Sequence, residues 1–99
     1  MARSVVWSPL AKEDFHNILY YLDQHWDSHV ANQFSELTLN KITKIVQNPK
    51  HFALINPAAD IRKCVLTKQN TLFYREIGSI IAVLRIFDTR QDPKKLRFD

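Results

Sequence analysis

The stretch that most constrains this chain is Ile80-Ile81-Ala82-Val83-Leu84-Arg85-Ile86-Phe87. Eight consecutive residues with one charge read as a strand buried on both faces, hence inside a sheet. A polar, basic tail from Asp88 to Phe98 follows it. The strand thus carries one arginine into the sheet and releases a cationic tail at its end. The rest of the chain is expected to build a platform for it.

Upstream, Arg3 to Trp7 reads as a short strand, with β-branched Val5 and Val6 beside Trp7. Ser8-Pro9 supplies an N-cap and a preformed first helical residue. Apolar residues at Phe15, Ile18, Leu19, Leu22 and Trp26 then predict an amphipathic helix over Pro9 to His25. Glu13 and Asp14 are placed in its first turns, where the helix dipole favours negative charge. Asp27-Ser28 breaks and recaps the chain. Val30, Phe34, Leu37, Ile42, Ile45 and Val46 predict a second helix to about Gln47, stopped by Asn48-Pro49. So short a link folds the two helices into a hairpin.

Residues 50–60 show no period and are expected to be a loop. Ile61–Leu66 and Thr71–Ile77 read as strands joined by a polar turn, and Gly78-Ser79 turns the chain into the final strand. The order β-α-α-β-β-β predicts a single α+β domain over residues 1–99. Its antiparallel sheet is covered on one face by the helical hairpin and partly open on the other. Strict alternation would place Arg85 with Val83 and Phe87, and Arg75 with Phe73 and Thr71, leaving open whether Arg62, Arg75 and Arg85 share one face.

Composition excludes several function classes. One glycine cannot make a GxGxxG or GxxxxGK[ST] phosphate loop. One cysteine cannot make an intramolecular disulfide or a multi-cysteine zinc site, and Cys64 is expected to be a small core residue. His25 and His29 have i,i+4 spacing, but the break at Asp27-Ser28 divides it; no metal site and no cofactor are expected. The first residues turn polar at Ser8-Pro9, with no signal-peptide core and no membrane-length apolar run, so the cytoplasm is the expected location. Charge is uneven. Residues 62–99 carry nine Lys/Arg against four Asp/Glu, whereas residues 1–61 carry five against six. A basic half favours an acidic partner, nucleic acid or protein; a solvated face is the alternative. Trp7, Trp26, Phe34, Phe73 and Phe87 have the chemistry to stack on bases, but most fall on the apolar period of their elements and read as core.

The order of elements, Trp7-Ser8 followed by Ala11, Asp14 and Ile18, Arg62 opening the second strand, Tyr74-Arg75, and Leu84-Arg85-Ile86 followed by Arg90 and Asp92-Pro93 together resemble the RelE/ParE superfamily of bacterial type II toxin–antitoxin toxins, closer to its ParE-like members. The resemblance spans nearly the whole chain. It implies a toxin that binds a cellular target, in ParE-like members DNA gyrase, and is neutralised by a cognate antitoxin laying an acidic amphipathic segment over the helices or the sheet. Arg62, Arg75, Arg85, Arg90, Lys94 and Lys95 are the expected target-binding residues. The other branch implies a RelE-like ribosome-dependent mRNA endonuclease, in which Arg62, Arg75, Arg85 and Arg90 hold the phosphate. The C-terminal Tyr or His common in those enzymes is missing: no Tyr follows Tyr74 and no His follows His51. Arginine stays protonated and is a poor base. Binding is therefore expected rather than catalysis. A non-toxic relative that only binds its partner, a homodimer and a toxin–antitoxin hetero-oligomer are the remaining alternatives.

Overall fold

The computed structural model describes residues 3–98. The elements in chain order are β1 (Ser4–Trp7), α1 (Pro9–His25), α2 (Ser28–Gln47), β2 (Ala53–Asn56), β3 (Ile61–Val65), β4 (Asn70–Ile77), β5 (Ile80–Asp88) and one 3-10 turn at Pro93–Lys95. The five strands form one sheet in the order β1-β5-β4-β3-β2. β2 through β5 pair antiparallel, and β1 pairs parallel to β5. The fold is α+β, with the expected elements in the expected order, one strand (β2) added and the final strand inside the sheet; the sheet is mixed rather than antiparallel, because β1 runs parallel to β5.

Both helices start where their caps dictate. The Ser8 side chain accepts from the Ala11 N–H, and Asp27 accepts from the Val30 N–H. These bonds satisfy amides that the first helical turn leaves without partners. The reverse turn into β5 has Gly78 at φ 58°. Glycine adopts that left-handed conformation without the Cβ penalty, as the first central position of a II′ hairpin requires.

Two apolar clusters lie on opposite faces of the sheet. Under the helices, Ala11, Phe34, Ile42 and Ile45 meet Cys64, Leu72, Tyr74, Ile81, Val83 and Ile86. On the other face, Ile61, Phe73 and Phe87 are covered by Leu84, Ala59, Leu96 and Phe98. The Phe73 and Phe98 rings meet edge to face with centroids 5.5 Å apart. The face expected to be partly open is therefore roofed in part by the chain's own C-terminal segment.

Four expectations are corrected. Residues 50–60 are not all loop, because Ala53–Asn56 pairs with β3 as an exposed edge strand. Few signals mark it: all four of its residues are exposed, so no buried face imposes a period of two. Strict alternation along β5 fails at a bulge. Phe73 pairs with Arg85 and Tyr74 with Val83, which leaves Leu84 as the extra residue. The bulge resets the phase, so Val83 faces the helices and Phe87 faces away. Asp14 lies beyond the first turn of α1 and serves β5 rather than the helix dipole. Trp26, read as part of the apolar face, caps α1 with 69% of its surface exposed.

Candidate site at the free edge of the last strand

β1 accompanies β5 only from Ile80 to Val83. Beyond that point the start of α1 takes the place of a strand. The Ser8 N–H donates to the Val83 carbonyl (2.9 Å), and the Ser8 hydroxyl donates to the Leu84 carbonyl (2.7 Å). The Ile86 N–H donates to Asp14 Oδ2 (3.1 Å). One serine and one aspartate thus satisfy backbone groups that a sheet edge would otherwise leave unpaired.

Asp14 also holds Arg85 in a bidentate pair, Nε to Oδ2 at 2.7 Å and Nη2 to Oδ1 at 3.0 Å. Both side chains are about five-sixths buried (15% and 17% exposed). Arg85 Nη1 donates further to the Arg97 carbonyl at 2.6 Å, tying the C-terminal segment to the sheet. Hydrogen bonding to Asp14 is the main cause that moves the Arg85 pKa above its ordinary value. Arg85 is therefore a permanently charged clamp.

The six residues expected to bind a target are not gathered on one face. Arg62 alternates with Cys64 toward the helices, where its Nη1 donates to the Phe52 carbonyl (2.8 Å) and the Lys50 carbonyl (3.3 Å), holding the turn after α2. Arg75 alternates with Phe73 on the opposite face. Its Nε is buried without a hydrogen-bond partner. Arg90 is exposed and bidentate to Asp88, Nε to Oδ1 at 3.0 Å and Nη2 to Oδ2 at 2.7 Å. That contact holds the Asp88 carboxyl below the usual carboxylate range. Lys94 and Lys95 sit on the exposed 3-10 turn after Asp92, which caps it. Arg85 and Arg90 are the two that line one cleft, of about 330 Å³, between α1 and the end of β5.

The cleft also brings in side chains that the sequence did not single out for function. Asp14, Asn17, Ile18, Tyr21 and Leu22 form one stripe of α1, Gln69 and Asn70 come from the β3–β4 turn, and Gln91 comes from the tail. The α1 members fall at intervals of three and four, and that spacing marked Ile18 and Leu22 as core; Gln69, Asn70 and Gln91 carry no such signal. Tyr21 places a phenol beside the C-terminal cations although no Tyr follows Tyr74 in the chain. Tyr74 itself is buried, donates to the Pro49 carbonyl and has its pKa pushed up to about 12, chiefly by burial. Cys64 is buried, and burial raises its pKa as well. Neither group is poised for proton transfer or attack near neutral pH. Among the described residues, no cluster of three or more His, Cys, Asp or Glu is arranged to hold a metal ion, and no helix is long and apolar enough to cross a membrane.

Residues 5–93 match the family model described as ParE toxin of type II toxin-antitoxin system, parDE. The chain belongs to the ParE toxin family. Solved structures agree on the fold. A protein of the chromosomal ParDE TA system from P. aeruginosa aligns with a TM-score of 0.73 at 18% identity, covering 88% of this chain and 96% of that one. A YoeB/ParE toxin from Agrobacterium tumefaciens aligns at 0.62 and 19% identity, covering 86% and 97%. A chain of the toxin-antitoxin complex RelBE2 from Mycobacterium tuberculosis aligns at 0.58 and 14% identity, covering 89% and 99%. No curated protein matches in sequence. The comparisons thus place the chain among type II toxins on the ParE side of the fold.

Proposed function

We propose that this ParE-family toxin acts by binding, not by cleavage, and that its basic C-terminal end carries the contact with the target. The observation that supports this reading is the chemistry of that end. Its cations are arginines and lysines: Arg85 is fixed by Asp14, Arg90 is positioned by Asp88, and Lys94 and Lys95 are free to reach outward. Fixed, permanently protonated guanidinium groups recognise acidic surfaces; they do not shuttle protons. DNA gyrase is the target proposed through the family. A cognate antitoxin, a basic toxin's acidic partner, would neutralise it. The assay is supercoiling of relaxed plasmid by gyrase with the purified chain added. Inhibition that weakens on replacing Arg90, Lys94 and Lys95 by glutamine supports the reading. Undiminished supercoiling at micromolar toxin sinks the gyrase assignment.

Arg75 favours a second reading. Its Nε is buried without a hydrogen-bond partner, an unmet guanidinium donor that a phosphate could satisfy once the atom is uncovered. In an mRNA endonuclease Arg75 would bind the scissile phosphate without Arg62, which tethers the turn after α2 on the other face, or Arg85, which Asp14 holds. Toeprinting of translating ribosomes decides: new cleavage sites favour this reading, and an unchanged pattern removes it.

A further inference from the structure

We propose that β2 is a self-association edge, through which two copies of this chain pair antiparallel about a two-fold axis and join their sheets into one. The inference goes beyond the target reading above and does not depend on it.

The first observation is a strand edge with nothing laid against it. β2 ends the sheet on its side, and among the described residues it pairs with β3 alone. All four of its residues are exposed. Backbone groups alternate along a strand, so every second residue of β2 directs its N–H and carbonyl away from β3. The far side of the sheet is finished differently: past Trp7, Ser8 and Asp14 take up backbone groups of β5. Around β2 the side-chain contacts stop at its ends. Arg62 reaches the Lys50 and Phe52 carbonyls, and Asn56 Oδ1 accepts the Ala59 N–H. The bulge leaves Ile55 without a partner on β3.

The second observation is the chemistry of the edge. Exposed strand edges are commonly guarded by charge, lysine above all. Residues 51–59 hold no Asp, Glu, Lys or Arg, in a chain of which 24% is charged. Leu54 and Ile55 present apolar surface there instead, 43% and 41% exposed.

Charge selects the occupant. A nucleic acid or an acidic protein finds no cation along residues 51–59 to hold it. A second copy fits. Two chains of net charge +4 repel each other, and they meet at least cost where that charge is missing. The ends of the segment are complementary as well: Lys50 precedes it and Asp60 follows it, both exposed. Antiparallel pairing sets the Lys50 end of each copy beside the Asp60 end of the other. A two-fold axis between Leu54 and Ile55 pairs all four strand residues, Ala53 with Asn56 and Leu54 with Ile55 of the second copy, so apolar side chains face each other at the centre. So short a strand buries little surface, and the dimer is a weak, concentration-dependent one. β3 and β4 separate this edge from β5, so the cleft that Arg90 lines stays uncovered in both copies.

The test is sedimentation velocity on the full purified chain from low-micromolar to near-millimolar concentration, with amide hydrogen exchange at the two extremes. The mean mass is expected to rise toward that of two chains, and exchange of the Ala53–Asn56 amides to slow at high concentration while Thr71–Ile77, already inside the sheet, stays unchanged. Ile55→Lys and Ile55→Glu, both at an exposed position and checked by circular dichroism, should each weaken the dimer at least tenfold. Mixing the two variants should restore it, because the charges then meet as a pair across the axis. Three outcomes overturn the proposal: a monomer at every concentration, a dimer that Ile55→Lys leaves undiminished, or slowed exchange that appears elsewhere and not in β2. None of them touches the target reading, because Arg90, Lys94 and Lys95 are unchanged in every sample.

Discussion

Asp14→Ala is the substitution through which the end of β5 should come apart. It deletes three bonds at once: two to Arg85 and one from the Ile86 N–H. Removing one member of a buried ion pair costs about 3–5 kcal/mol. The pair here keeps some access to water, and Arg85 retains the Arg97 carbonyl, which brings that figure to about 2–3 kcal/mol. The stranded Ile86 N–H adds about 1 kcal/mol. The expected loss is therefore about 3–4 kcal/mol, a large part of the 5–15 kcal/mol typical of a domain. Urea denaturation reads it directly. With a slope of about 1–1.5 kcal/mol per molar for a chain this size, the midpoint should fall by roughly 2–4 M with the slope unchanged. Asp14→Asn keeps an acceptor for Ile86 and should lose about half as much. Replacing both partners, Asp14→Leu with Arg85→Met, should be milder than Asp14→Ala, because no unpaired charge is left behind. A midpoint for Asp14→Ala within 0.3 M of the parent (about 0.5 kcal/mol) would refute the argument, as would equal losses for Asn and Ala.

Three further expectations come from single groups. Tyr74 has a raised folded pKa, so the stability it contributes is complete below pH 10 and lost as pH rises toward about 12; absorbance titration should show one of the three tyrosines ionising late, and Tyr74→Phe should cost about 1 kcal/mol. The Asp88 pKa is depressed, so the Asp88–Arg90 contact should persist above the ordinary carboxylate range and open only as pH falls below about 4, seen as the Arg90 Nε–H resonance collapsing to its free position. Gly78→Ala meets no atom within 4 Å but imposes a left-handed alanine, and thermal melting should show a loss of about 1 kcal/mol.

How much of this was legible in the chain depends on how local each signal is. Ser8-Pro9, Asp27 and Asn48-Pro49 bound α1 and α2 where predicted, because capping is a matter of a few adjacent residues. The apolar run of β5 correctly announced an interior strand. The bulge at Leu84 was not legible, since an extra residue in one strand appears only against its partner's register. β2 was missed because an exposed edge has no periodicity to read. The fate of the arginines was the least legible. Arg85 and Asp14 lie 71 residues apart, and no spacing rule joins them. For the same reason Arg62, Arg75 and Arg85, alike in sequence, end as a loop tether, an unpartnered group and a clamp. The proposed target contact accordingly rests on Arg90 and the lysines after it rather than on the arginines of the strands.

That shift sets the decisive measurement. The chain, its Arg90→Gln/Lys94→Gln/Lys95→Gln variant and its Arg62→Gln variant are each induced in cells without the neighbouring reading frame, with folding checked by circular dichroism. The account predicts that the parent arrests growth, that Arg62→Gln still arrests it, and that the folded triple variant permits it. A folded triple variant that arrests growth as fully as the parent would contradict the assignment of target binding to the basic C-terminal end.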